Sequence, residues 1–297
     1  MNYNLLLSKR FTVVIQNKFM KDIIEVNVKS EIGKLNGVII HTPGEEVENM
    51  TPENAERALY SDIINLSIAR DEYKQIYGIL SKLTRTYEVK DLLCNILKDE
   101  KVKLKVLNRI EAIEPFIGEQ APKGSLKEQL MQEKPEVLSR LLIEGVEMVK
   151  DNLTKYLSKD WFALRPMHNF LFTRDASMSI NNDVLIGRMA NSIRDRESVI
   201  MQSIFEFTPE FKTKTLTIPP MPGASKRVRT IEGGDVLIAR DDILLIGNGA
   251  RTSTQAIDML IYEYINRKSE KAQHIIVQQL PHTPESFIHL DMVFTLL

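Results

Sequence analysis

Six side chains able to hold charge or move protons recur at matched intervals. The interval from Asp175 to Arg194 is the same as that from Glu232 to Arg251. The step from Asp175 to Glu232 is nearly repeated from Glu232 to Asp291, and His289 stands just before Leu290 and Asp291. A single charged residue in a loop is normally a solvated turn residue. Charges that keep register through a repeat have a reason to do so. If the repeats surround an axis and their loops converge at one end, Asp175, Glu232 and Asp291 cluster, with Arg194 and Arg251 nearby. Clustered carboxylates repel unless a cation joins them, and two arginines further out suit a carboxylate. The matching ligand has a cationic head and an anionic tail. A guanidinium head offers planar, paired donors that fit carboxylates, and free arginine is such a molecule.

The elements that must position these groups are legible as a repeat. In 232–280, Asp235–Arg240 reads as a strand, Asp241-Asp242 as a turn and Ile243–Gly247 as a second strand. Thr252 or Ser253 caps a helix with Ala256, Ile257, Leu260, Ile261, Tyr264 and Ile265 on one face, and His274–Leu280 is a third strand. In 170–218 the strands are Met178–Ile180, Val184–Arg188 and Thr215–Ile218, with a helix from Glu197 through Phe207. In 23–92 the strands are Ile24–Val28, Gly37–His41 and Tyr87–Leu92, with a helix capped by Thr51 and begun by Pro52. Each unit is thus ββαβ, an α/β arrangement.

Leu93–Lys159 does not repeat and reads as helices, with Val137, Leu138, Leu141, Leu142, Val146 and Val149 at helical spacing and Pro115, Pro122 and Pro135 as breaks. The expected organisation is an arm over 1–21, a catalytic unit from 22–92 and 160–297, and a helical insert domain over 93–159. The arm carries Lys9, Arg10, Lys18 and Lys21 and no acid, and reads as disordered or superfluous, with targeting as a weaker alternative. Asp291 opens a fourth unit whose strand Met292–Leu297 has no turn, second strand or helix after it, so the pattern reads as an incomplete chain.

Composition excludes several classes. With 39 Lys+Arg against 40 Asp+Glu, no basic excess exists to displace counterions from nucleic acid. No apolar run reaches the ~18–20 residues that cross a bilayer. One cysteine, Cys94, allows neither an internal disulfide nor a multi-cysteine zinc site. His289 and Asp291 could be metal ligands, but none of the other histidines has ligand spacing with them, so no metal site is expected. Gly233-Gly234 lacks the following Lys-Ser/Thr of a phosphate loop. His168 reads as a satisfied loop histidine, and Arg174 as the partner of a neighbouring carboxylate.

Six stretches carry a family resemblance: EIGKLNGVIIHTPG (Glu31–Gly44), PMHNFLFTRD (Pro166–Asp175), IRDRE (Ile193–Glu197), IEGGDVL (Ile231–Leu237), GNGARTSTQAI (Gly247–Ile257) and IHLDMVFT (Ile288–Thr295). In this order and at these intervals the chain resembles the arginine deiminase family of guanidine-modifying enzymes. The resemblance implies a five-bladed α/β propeller (pentein-like) with an inserted helical domain, incomplete here at the C-terminus. It implies hydrolysis of L-arginine to L-citrulline and ammonia, with no metal or organic cofactor. By motif match, Asp175 and Asp291 hold the guanidinium nitrogens. His289 is the general acid and base, and Glu232 binds guanidinium and supports His289. Arg194 and Arg251 pair with the substrate carboxylate, and Asn169 and Phe172 line the pocket. The resemblance also suggests a dimer or higher assembly, and the expected location is cytoplasmic.

The family's nucleophile, a cysteine near the C-terminus that forms a covalent thiouronium, has no counterpart here. Cys94, in Asp91-Leu92-Leu93-Cys94-Asn95, reads as an incidental thiol. The expectation is therefore weak arginine binding and no turnover by these 297 residues. Other readings are an amidinotransferase, a dimethylarginine hydrolase, or a catalytically dead arginine-binding or regulatory relative.

Overall fold

A computed structural model describes residues 23–49, 64–114, 125–223, 227–266, 274–281 and 283–297. The expected arm, the Thr51 cap, Pro52, Pro115 and Pro122 lie outside these residues. Two units of the repeat stand as read. In one, Ser177–Ile180 runs antiparallel to Asp183–Ile186. Asn181 makes the reversal at φ 52°, a left-handed conformation that asparagine tolerates. The helix Asp195–Phe207 then crosses over, and Lys214–Thr217 pairs parallel to Asp183–Ile186. In the other, Val236–Arg240 is antiparallel to Ile243–Asn248, the helix Thr254–Asn266 crosses over, and His274–Gln279 returns parallel. Crossover on a helix is what a parallel return requires.

The first unit departs from its expected form. Gly37–Ile40 and Arg85–Glu88 pair parallel, but Ile24–Glu25 leaves them and pairs with Phe211–Lys212, while Val28 bridges Asn181. The expected strand Tyr87–Leu92 stops at Glu88. There the helix Val89–Ile96 begins, because Val89, Leu92, Leu93 and Ile96 fall on one helical face and all are buried. Met292–Leu297 is not a strand. A 3₁₀ turn spans Leu290–Met292, and the N–H groups of Val293 and Phe294 donate to the Leu290 carbonyl at 3.1 and 2.9 Å instead of to a ladder.

The non-repeating segment is not helical throughout: Gly145, at φ 93°, ends a helix and Val146–Glu147 pairs antiparallel with Phe162–Leu164, so Val146 and the exposed Val149 do not continue the helical face as expected. Its main helices are Val89–Ile96, Glu100–Ile113, Leu126–Gln132 and Pro135–Glu144. Ser125 and Glu128 cap one reciprocally, and Pro135 opens another at its first turn. Their apolar faces join Phe170, Ala176, Val184, Ile186 and Ile200 in one core. A second core lies between the two complete units, among Met178, Leu185, Ile231, Val236, Ile246 and Leu260. No described helix is long and apolar enough to cross a membrane.

Between the first strand pair and the Pro166–Asp175 loop sits a buried polar joint. The His41 ring lies 3.0 Å from Glu46 Oε1 and 3.2 Å from Glu88 Oε1, and its centroid is 5.3 Å from that of Phe170. His168 Nδ1 donates to the Glu46 carbonyl. Burial works against the charged imidazole, but the bonds and charges of Glu46 and Glu88 outweigh it, and the pKa of His41 is raised to about 9. A raised pKa contributes stability that is complete below about 6.5 and lost as pH rises through 9. From about pH 6.5 to 9.5 the urea midpoint should therefore fall, by an amount equivalent to roughly 3 kcal/mol at most. A His41→Gln chain should lack that part of the slope, and parallel parent and variant curves would contradict the assignment.

Candidate active site

Four of the expected residues meet at one end of the two complete units. Glu232, wholly buried, precedes the 3₁₀ turn Gly233–Asp235 that leads into the strand Val236–Arg240. Its Oε1 accepts the Ala190 N–H at 2.8 Å, and its Oε2 lies 2.9 Å from His289 Nε2. Asp175 lies in the last turn of the short helix Thr173–Ala176, just before the equivalent strand of the other unit. Its Oδ1 is 3.8 Å from His289 Nδ1, and its Oδ2 is 2.8 Å from Arg194 Nη1. The imidazole is thus flanked by a carboxylate on each nitrogen.

Arg194, also buried, stands at the head of the helix Asp195–Phe207. Besides Asp175 it donates to both oxygens of Glu197, and its Nη1 lies 3.9 Å from Glu232 Oε2. Its Nη2 also reaches the Asn169 carbonyl at 3.5 Å. Its guanidinium therefore rests on the carboxylates themselves. Asn169 is buried beside Arg194, whereas the remaining expected residues are more peripheral. Phe172 and Asp291 are exposed, and Arg251 is half-buried in the loop after Ile243–Asn248. The neighbour of Arg251, Thr252, is fully buried and accepts the Glu232 N–H at 3.2 Å.

The electrostatics follow from burial opposed by partners. Burial works against charge on His289, but the Glu232 hydrogen bond and the charges of Asp175, Asp235 and Glu232 raise its pKa above the ordinary value. Burial would raise Glu232, but the His289 bond, the charge of Arg194 and the Ala190 N–H bring it below the usual range. Burial pushes Glu197 up to about 6 against the pull of Arg194. Three carboxyl groups, Asp175, Glu197 and Glu232, thus converge on one guanidinium, Arg194, and one imidazole, His289, so acids outnumber bases in the group. Such a site attracts a cation and discriminates against an anion.

Sequence reasoning overlooked two buried acids here. Glu197 was visible as the i+3 partner of Arg194 within IRDRE. Asp235, fully buried, accepts the Leu290 N–H at 2.9 Å and so ties the turn after His289 to the turn after Glu232. Burial raises its carboxyl to about 6. Its signal was its place in the same short turn as Glu232, beside two glycines. Gly234 lets His289 approach, since a Cβ there would lie 2.7 Å from the ring.

Ligand atoms of Asp175, Glu232 and His289 lie within 4.8 Å of one another, a spacing compatible with one cation. Cys94 lies elsewhere, in the helix Val89–Ile96 beside Ser139, Glu136 and Lys98, and burial pushes its thiol up. An apolar cavity of about 640 Å³ between Tyr87, Ile96, Val102, Phe207 and Phe211 shares no lining residue with the site.

Comparison with known proteins decides the family. The arginine deiminase family model matches residues 56–297. The chain is 34% identical over 282 residues to the arginine deiminase of Pediococcus pentosaceus, covering 92% of this chain and 67% of that one. The chain belongs to the arginine deiminase family. The Listeria monocytogenes arginine deiminase is 31% identical over 286 residues, covering 91% of this chain and 66% of the relative. The chain thus spans about two thirds of the length of these relatives. Among solved structures, a dimethylarginine dimethylaminohydrolase from Pseudomonas aeruginosa, complexed with citrulline, superposes with a TM-score of 0.43 at 14% identity, covering 84% of this chain and 62% of that one. An amidinotransferase from Microseira wollei superposes at 0.41 and 12%, covering 86% and 63%. At those values the family assignment stands on the sequence matches.

Proposed function

We propose that the site binds the guanidinium of L-arginine and serves its hydrolysis to L-citrulline and ammonia. The observation that supports this most is the buried Asp175–Glu232–His289 group, in which acids outnumber bases and an imidazole lies between two carboxylates. In this reading Asp175 and Asp291 accept the guanidinium N–H groups, and Arg194 leaves Asp175 to pair, with Arg251, to the substrate carboxylate. Asn169 and Phe172 line the approach. The nucleophile of this chemistry is a cysteine thiolate other than Cys94, which lies in the helix Val89–Ile96 away from the site: it forms a C–S bond to the guanidinium carbon, a C–N bond breaks, and His289 gives its proton to the departing ammonia. His289 then takes a proton from water, whose oxygen bonds to that carbon as the C–S bond breaks, releasing citrulline and thiolate. The fold of this reading is a five-bladed α/β propeller around the pocket, of which 22–92 and 160–297 supply an incomplete set of blades, with 93–159 as an inserted helical domain, and the protein works in the cytoplasm as a homo-oligomer.

A second reading, an arginine-binding relative that does not turn over, is favoured by the place of Cys94, the single cysteine, beside Ser139. Calorimetry together with a citrulline assay tests both. The 297-residue chain should bind L-arginine in the millimolar range, bind L-lysine more weakly, and release no citrulline. Micromolar arginine binding without turnover would favour the second reading. Metal-independent citrulline release would overturn the assignment of the chemistry to a thiol other than Cys94.

A further inference from the structure

The two halves of the site belong to different units, and Arg174 ties their backbones together. Arg174, immediately before Asp175, donates through Nε to the Gly233 carbonyl at 3.2 Å and through Nη2 to the Val236 carbonyl at 2.7 Å. Its Nη1 and Nη2 also form a bidentate pair with Glu31, at 3.2 and 2.7 Å. Glu31 is itself fixed: its Oε1 accepts the Ile238 N–H at 3.0 Å, and its own N–H donates to the Ile238 carbonyl at 2.9 Å. One guanidinium therefore holds both ends of the turn after Glu232, and a carboxylate on a third segment holds the guanidinium.

We infer that Arg174 and Glu31 form a positioning pair that sets Glu232, and through it His289, at bonding distance from each other and against Asp175. The deduction rests on the reading of this site as catalytic. Both side chains are partly exposed, so their mutual attraction alone contributes little. Geometry is what they supply. A planar fork can bond two carbonyls and a carboxylate at once, whereas an ammonium is a compact point charge whose three donors leave a single nitrogen.

Arg174→Lys separates the two contributions, because it keeps the charge and loses the fork. His289 is faced by Glu232, Asp175 and Asp235, with Asp291 close by in the same turn, so its titration reports whether Glu232 stays in place. The experiment is a ¹³C-histidine NMR titration of the whole chain, with the His289 resonance identified by its loss in His289→Gln. The midpoint of His289 should drop by about 0.5 or more in Arg174→Lys and by less in Glu31→Gln. A His289 midpoint within about 0.1 of the parent in both variants, even with a lower melting temperature, would overturn the inference and leave a purely structural tie. If Arg174→Lys does not fold, Glu31→Gln decides by the same criterion. No substrate enters the measurement, so its outcome is separate from that of the arginine reading.

Discussion

Glu232→Gln should reverse the direction in which acid acts on the stability that His289 contributes. In the parent, His289 titrates above its ordinary value because Glu232 and the neighbouring acids outweigh burial. The stability that His289 contributes is then complete below about 6.5 and lost as pH rises through its folded value. Glutamine keeps the shape and an acceptor for the Ala190 N–H but removes the charge. Burial, the largest single influence on His289, then prevails, and the imidazole should titrate below 6.5. The variant accordingly loses stability as pH falls below that point, where the parent does not. Removing one member of a buried ion pair costs about 3–5 kcal/mol. The loss here should sit at the low end, because Arg194 retains Asp175 and Glu197. Denaturant midpoints of parent and variant between about pH 5 and 8 measure it, and curves that stay parallel would show that Glu232 does not set the protonation of His289.

Gly233→Ala should be as damaging without changing any charge. A Cβ at Gly233 would overlap the Arg174 carbonyl oxygen, a backbone atom that has no rotamer through which to yield. The two units would have to separate locally, lengthening the Arg174 bond to the Gly233 carbonyl and moving Glu232 from Asp175. A cost on the order of 3 kcal/mol or more is expected, at the upper end of overpacking changes. The same methyl at Gly78, which meets nothing within 4 Å on an exposed helix, should be neutral or slightly stabilising. Equal urea midpoints for Gly233→Ala and Gly78→Ala would contradict the close approach of the two backbones.

Much of this arrangement was legible because repetition turns spacing into geometry. The interval from Asp175 to Arg194 reappears from Glu232 to Arg251, and the hairpins Ser177–Ile186 and Val236–Asn248 lie where alternation and turn residues put them. What the repeat could not show was direction. Spacing placed Arg194 near a shared pocket but not onto Asp175, since a long side chain can turn toward either the carboxylates or a ligand. Periodicity also failed where two readings fit. Tyr87 and Val89 alternate with Glu88 and Lys90 as in a strand, and only Leu92, Leu93 and Ile96, on the same helical face as Val89, decide for a helix. Met292–Leu297 has strand composition, but Leu290 captures its first N–H groups in a turn. Asp235 was hidden because a buried acid beside two glycines looks like a turn until its partner, the distant Leu290 N–H, is placed against it.

The central claim is that Asp175, Glu232 and His289 form a seat for a planar cation. The most direct measurement follows the ¹³C-histidine resonance of His289 while L-arginine is added to tens of millimolar at constant ionic strength. The account predicts a saturable shift of His289 with L-arginine, little shift with L-lysine, and loss of the response in Asp175→Asn. A His289 resonance that ignores arginine, or that moves equally with lysine, would contradict it.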